Sequence, residues 1–288
     1  MRFARGRRAG GSDGTKVANR MGNVILNCFK DAKRIVVKVG TSTLTHETGL
    51  VNIRRIESLV KVLADIKNGG KDIILVSSGA IAVGMGKLGQ KARPSDTPSK
   101  QAVAAIGQCE LMYMYDKLFS SYNHTVAQVL LTRDVIEGEE RKQNCVNAFE
   151  RLLEMNAIPI VNENDTVSVE EIEFGDNDTL SALVAVLTGA DALVIMSDID
   201  GLYEADPRTQ PNAKLISRVD VIDDSIAEKA GGAGSARGTG GMLTKIHAAR
   251  LACSAGVDMA IINGKDPKLL YSLFDGETIG THFVAAKQ

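Results

Sequence analysis

Six short apolar runs, rich in β-branched residues, punctuate the chain, and longer stretches of a different periodicity separate them. They are "RIVVKV" (34–39), "DIILVS" (72–77), "TVAQVLL" (125–131), "IPIV" (158–161), "ALVIMS" (192–197) and "VDMAII" (257–262). Runs this short and this nearly continuous suit strands buried on both faces rather than strands with one wet side. The intervening segments have helical spacing. In "NIRRIESLVKVLADIKNGG" (52–70), Ile53, Ile56, Leu59, Val60, Leu63 and Ile66 fall on one stripe that stops at a glycine pair. The same pattern returns in residues 98–122, 142–157, 176–190 and 239–256. Strand, helix, strand with right-handed crossovers builds a mostly parallel sheet with helices on both faces, an α/β three-layer αβα sandwich. No internal repeat or linker is visible, so one domain is expected over residues 31–288.

Such a sheet needs a core, and 44% hydrophobic residues in a 288-residue chain supply one. No apolar run reaches the roughly 18 residues of a membrane span, so no membrane partner is expected. Cys28, Cys109, Cys145 and Cys253 lack CxxC spacing, and His46, His124, His247 and His282 are equally dispersed. Neither a disulfide framework nor a zinc site follows. The formal net charge is −1, but residues 1–30 hold seven Lys/Arg against one Asp, which leaves −7 for residues 31–288. A body of that sign is not expected to bind nucleic acid. The basic head has no apolar h-region and is not a secretory signal. Of the readings left, a disordered extension over residues 1–30 or an upstream start codon is expected over a mitochondrial presequence. "MGNVILN" from Met21 has Asn27 where a myristoylation motif needs Ser or Thr, so that reading is discarded.

In parallel sheets functional groups gather where the carboxyl ends of strands lead into helix N-termini. Those places read "KVGTST", "SSGA", "NENDT", "GDND", "SDIDGLY" and "GTGGMLTK". They are rich in Gly, Ser, Thr, Asn and Lys, and amides at helix N-termini together with Lys suit a phosphate. Any one of these glycines is most simply a turn or cap residue; several such loops on one edge favour a phosphate ligand. "GMGKLG" (84–89) matches GxGxxG but does not follow a strand directly, so its glycines are expected to cap a helix C-terminus rather than hold a dinucleotide. From Asn162 to Gly189 there are seven acidic residues and no Lys or Arg, in two clusters between apolar segments. Charge alone reads as a solvated loop; the clustering reads as two polar loops whose cations lie elsewhere.

In order and spacing, these loops resemble the amino acid kinase superfamily, and within it the glutamate 5-kinase family. "SDIDGLYEADPR" (197–208) is similar to a nucleotide-site signature of the whole superfamily. "VVKVGTSTLT" (36–45), "LVSSGAIAVG" (75–84), "LLTRDV" (130–135), "PIVNENDTV" (159–167), "FGDNDTLSA" (174–182) and "GTGGMLTK" (238–245) are the discriminating parts. The resemblance runs from about Lys33 to Phe283. It implies MgATP-dependent phosphorylation of the side-chain carboxylate of L-glutamate to glutamyl 5-phosphate, the first step toward proline. A carboxylate with a reference pKa of about 4.3 is ionised at neutral pH, so no general base is required. The catalytic residues implied are Lys38 and Lys245 on the phosphates, Asp178 positioning those lysines, and Asp176 doing the same or reaching Mg²⁺ through water. Ser78, Asp165, Asn177 and Asn162 match glutamate contacts. Lys38, Gly40, Thr41, Ser42, Ser197, Asp198, Thr239, Gly240, Gly241, Met242, Leu243, Thr244 and Lys245 match the ATP-binding segments. No direct protein ligand to Mg²⁺ is assigned. Glu170, Glu171 and Glu173 are expected to stay solvated.

The same resemblance implies a cytoplasmic homo-oligomer with proline as feedback inhibitor. Many bacterial relatives continue into a PUA domain, whereas this sequence ends just after "GTHF"; no C-terminal PUA domain and no reductase domain are expected. "SD" at Ser197-Asp198 replaces the more usual "TD" and keeps the hydroxyl. Two alternatives differ in sequence terms. A kinase for another small carboxylate would keep the nucleotide loops and alter "NENDTV" and "GDND". A catalytically silent sensor of nucleotide or amino acid would have lost Lys38, Lys245 or Asp178, and all three are present.

Overall fold

The computed structural model describes residues 28–46, 48–132, 135, 138–168, 177–229 and 241–286. Asp176, Thr239, Gly240, Glu170, Glu171, Glu173 and most of the basic head lie outside them. A helical turn, α1 (28–31), leads into β1 (Arg34–Val39). There follow α2 (Thr41–Leu44), α3 (Ile53–Asn68), β2 (Asp72–Ser77), α4 (Ala80–Leu88), α5 (Thr97–Ser120), β3 (Val126–Leu131), α6 (Glu139–Glu154) and β4 (Ile158–Glu163). The second half contains α7 (Asn177–Leu187), β5 (Ala192–Ser197), β6 (Arg218–Val219), α8 (Asp224–Lys229), α9 (Met242–Ser254), β7 (Asp258–Asn263), α10 (Leu269–Asp275) and β8 (Thr281–Phe283).

The strands form one eight-stranded sheet in the order β3-β4-β2-β1-β5-β7-β8-β6, parallel throughout except where β8 runs against β7. Successive strand residues pack into different layers, as strand geometry requires. Ile35, Val37 and Val39 of β1 join one core with Leu59 and Leu63 of α3, Val83 of α4, and Leu111 and Phe119 of α5. Val36 joins the other, with Phe149 of α6, Ala182 and Ala185 of α7, and Ile246 and Ala249 of α9. This is the three-layer αβα sandwich the apolar runs require. The six expected strands are all present, and β6 and β8 are added at one edge.

Two local expectations are corrected. Ile53 does not join the buried stripe. As the first residue of α3, just past the Asn52 cap whose side chain accepts from Arg55 N, it points outward and is 57% exposed. The "GMGKLG" glycines are not all caps, because Gly84 and Gly86 lie inside α4 and only Gly89, at φ 66°, ends it. Gly84 serves close packing. A Cβ there would sit 2.0 Å from the Val103 carbonyl oxygen, and one on Gly107 would sit 1.7 Å from that of Ala80. The two glycines let α4 and α5 cross backbone to backbone, which seats α5 low over the ends of β2 and β4.

The chain passes from β1 toward β2 and β4 on one side, then crosses back to β5 and β7 on the other. A crevice therefore opens at the carboxyl ends of β1 and β5, the position where parallel sheets bind ligands. Lys38 and Ser197 sit near its two lips, at the end of β1 and the end of β5 respectively.

Candidate active site

Lys38 is the fifth residue of β1, and alternation turns it toward the layer of α7 and α9. Asp178 is the second residue of α7, where the helix dipole favours an acid. Lys245 lies in the first turn of α9. Three elements distant in sequence thus bring three ionised groups together. The Lys38 Nζ is 2.6 Å from Asp178 Oδ1, and the Lys245 Nζ is 3.0 Å from Oδ2. The Thr244 hydroxyl stands 3.0 Å from the same Oδ2 and 2.8 Å from the Gly241 carbonyl oxygen. Asp178 is fully buried, and Lys38 and Lys245 are 7% and 5% exposed. Burial alone would raise the Asp178 pKa, but the two ammonium groups outweigh it and hold the carboxyl well below the usual carboxylate range.

The cluster carries a net charge of +1, and each of its ions has given up several kcal/mol of hydration. An anion at its open side would supply the missing partner. Gly40 runs so close that a Cβ on it would touch the Lys38 Nζ at 3.8 Å. The first amides of α2, from Thr41 and Ser42, have no acceptor within their own turn. Arg55 donates to the Ser42 carbonyl and braces that turn from α3. At the other lip, the Ser197 hydroxyl is 3.2 Å from Asp198 Oδ1, and Gly264 N donates to the Ser197 carbonyl at 2.6 Å. Gly241 caps α9, Met242 packs partly into the core and Leu243 is exposed.

A second cluster begins one residue before Asp178 and is built of neutral groups. The Asn177 amide nitrogen is 2.9 Å from each of the Ser77 carbonyl oxygen, the Ser78 hydroxyl and the Asn162 Oδ1. Asn162 in turn donates from Nδ2 to Gln108 Oε1 at 2.8 Å. Gly79, in the left-handed region at φ 95°, turns the chain from β2 into α4 against Thr41. Beneath it the Ser77 hydroxyl pairs with the buried Tyr115 hydroxyl at 3.0 Å. Asp165 lies in the loop after β4. Desolvation pushes its carboxyl up to about 6, although the Arg93 charge pulls the other way. Glu163, at the end of β4, is 5% exposed, and its Oε1 has no hydrogen-bond partner among the described residues. Among those residues no group of three or more His, Cys, Asp or Glu converges as a metal cage.

The structure therefore gathers Lys38, Asp178, Lys245 and Thr244 in one place, and Ser78, Asn162 and Asn177 in the adjoining one. Gly40 and Gly241 border the first, Thr41 and Ser42 follow Gly40 in α2, and Ser197 and Asp198 lie at the end of β5, which pairs with β1. No hydrogen bond among the described residues joins Asp165 to either cluster. Gln108, Tyr115, Arg93 and Glu163 were not singled out from the sequence as site residues. Glu163 could have been, as an acid in a run with no local cation; the other three carry no sequence signal.

The chain has known relatives in both sequence and structure. A sequence model of the amino acid kinase family matches residues 33–263. The glutamate 5-kinase of Clostridium perfringens is 58% identical over 263 residues, covering 90% of this chain and 98% of the relative. That of Listeria monocytogenes is 51% identical over 264 residues, covering 90% and 96%. Among solved structures, the UMP kinase of Bacillus anthracis has a TM-score of 0.60 at 17% identity, covering 89% of this chain and 97% of its own. An isopentenyl phosphate kinase has a TM-score of 0.62 at 15% identity, covering 87% and 100%. These structures share the fold.

Proposed function

Because the chain belongs to the amino acid kinase family, we propose that it transfers the γ-phosphoryl group of ATP to the side-chain carboxylate of L-glutamate, yielding L-glutamyl 5-phosphate, the first step toward proline. The observation that carries this reading is the juxtaposition of the buried Lys38–Asp178–Lys245 cluster with the neutral amide cluster of Ser78, Asn162 and Asn177. One end suits a polyphosphate and the other an amino acid.

Lys38, Gly40, Thr41, Ser42, Ser197, Asp198 and the segment Thr239 to Lys245 would hold the nucleotide. The transferred group moves from the ADP oxygen, whose bond to phosphorus breaks, to an oxygen of the glutamate carboxylate, whose bond to phosphorus forms. No proton needs to move, since that carboxylate is ionised. Lys38 and Lys245 offset the charge that spreads over the phosphoryl oxygens in the transition state. Asp178 keeps both ammoniums aimed at one point. Its Oδ1 is committed to Lys38 and its Oδ2 to Lys245 and Thr244, so it is not arranged as a metal ligand. Mg²⁺ bound with the nucleotide would supply neutralisation of phosphate charge, and Asp176, outside the described residues, would be the residue to reach it through water or to help position the lysines. At the acceptor end, Ser78, Asn162, Asn177 and Asp165 hold the backbone groups of glutamate. A homo-oligomer in the cytoplasm, inhibited by proline through its cationic amine and adjacent carboxylate, belongs to the same reading.

Incubating purified protein with L-glutamate, MgATP and hydroxylamine tests it. Glutamate-dependent formation of the hydroxamate, with stoichiometric ADP, is the expected result. ADP release indifferent to glutamate, or hydroxamate from a different carboxylate in its place, would contradict the assignment.

A further inference from the structure

We propose that Gln108, on α5, is a positioning residue for the acceptor pocket; it holds Asn162, and through Asn162 holds Asn177, in the amide orientation that presents an oxygen to the substrate's amino group. The inference rests on the glutamate-kinase reading above and adds to it a residue outside the loops that border the site.

The argument is one of donors and acceptors. The Ser77 carbonyl oxygen can only accept, so the Asn177 group 2.9 Å from it is the amide nitrogen. That nitrogen is also 2.9 Å from Asn162 Oδ1, which makes the Asn162 oxygen the acceptor and turns its Nδ2 toward α5. There Gln108 Oε1 receives it at 2.8 Å. The orientation of three side-chain amides is thus fixed in series from a backbone carbonyl on β2 to a side chain on α5. With its nitrogen engaged, Asn177 has its carbonyl oxygen left to offer a ligand, a group complementary to an ammonium and not to a carboxylate. Rotating any one amide would set two N–H groups or two oxygens against each other. Gln108 terminates the series, and nothing else described accepts from Asn162 Nδ2.

The backbone keeps Gln108 in place. Its neighbour Gly107 lies where a Cβ would come within 1.7 Å of the Ala80 carbonyl oxygen, so α5 cannot slide or rotate without collision. Seven residues along the same helix, Tyr115 reaches the Ser77 hydroxyl. One face of α5 therefore meets the ends of both β4 and β2.

The test is steady-state kinetics of wild type, Gln108→Leu, Gln108→Glu and Gln108→Lys in the hydroxamate assay, with glutamate and ATP varied separately. Leucine removes the acceptor, and KM for glutamate is expected to rise about tenfold while KM for ATP stays within about twofold. Glutamate at this position keeps an accepting oxygen and should hold KM within about threefold of wild type, whereas lysine substitutes a donor and should behave as leucine does. Should Gln108→Leu fail to fold, the Gln108→Glu and Gln108→Lys pair decides alone. A glutamate KM unchanged in Gln108→Leu, both KM values rising together, or Gln108→Glu as impaired as Gln108→Lys would overturn the inference and leave the function standing. A wild-type protein without glutamate-dependent turnover would overturn both.

Discussion

Asn177 and Asp178 are neighbours in the chain, yet each anchors a cluster built on a different principle. Asp178 sits among full charges, with two lysines within 3.0 Å and no exposure. Asn177 sits among dipoles, with a carbonyl, a hydroxyl and an amide at 2.9 Å. The charged cluster suits a task in which charge migrates, because its strength is electrostatic and insensitive to small changes in ligand shape. The neutral cluster suits discrimination, because each group accepts or donates in one direction and a ligand with the wrong pattern leaves something unpaired. In the proposed reading a single helical turn divides turnover from selection, and mutations on its two sides should separate kcat from KM.

The largest effects belong to the charged side. Lys38→Ala and Lys245→Ala should each lower kcat by roughly 10² or more, with KM for glutamate little altered, as measured on folded protein. A folded variant with unchanged kcat would remove that lysine from the phosphate site. Asp178→Ala should strike stability as well, since it leaves two buried ammoniums facing each other. A loss of about 3–5 kcal/mol in denaturant unfolding is expected, and a stability equal to wild type would mean the lysines find other partners.

The proposed acceptor end should respond in KM. Asp165→Asn is expected to raise KM for glutamate severalfold and leave KM for ATP unaltered. Its titration adds a pH signature. The folded-state pKa of about 6 lies above the ordinary value, so burial favours the protonated acid, and the stability this group contributes is lost as pH rises through about 6. A substrate ammonium favours the ionised form instead. KM for glutamate should therefore climb as pH falls from 7 to 5, and Asp165→Asn should flatten that climb. A pH-independent wild-type KM across this window would detach Asp165 from the ammonium.

The sheet was legible because strands buried on both faces must be apolar at nearly every position, and "ALVIMS" and "DIILVS" offer no other reading. β6 and β8, of two and three residues, are too short to show a period. α4 hid behind its glycines, which look like punctuation until the crossing with α5 explains why nothing larger fits. In the site, Lys38, Asp178 and Lys245 stand at strand ends and helix starts within segments of recognisable composition, and the two lysines give the acidic stretch the cations it lacks locally. Gln108 gave no such signal. It is one polar residue in a helix, 54 positions before the asparagine it receives from, and only the fold makes them neighbours. The raised pKa of Asp165 was equally invisible, because desolvation is a property of packing and not of sequence.

The smallest effect is expected at the N-terminus. Removing residues 1–20, a basic low-complexity segment, should change neither kinetics nor melting temperature, and a clear loss of either would show that the division of labour extends beyond the two clusters.

The most direct test of that division is the ratio of kcat/KM for L-glutamate to that for N-acetyl-L-glutamate in the wild-type enzyme. Acetylation removes the ammonium and leaves the phosphate side untouched. In the proposed reading Asn177, and Asp165 of the loop after β4, would then lack a cation, and L-glutamate should be preferred by about 10² or more. Equal values, or a preference for the acetylated acceptor, would contradict the account by showing that the neutral cluster does not read the amino group.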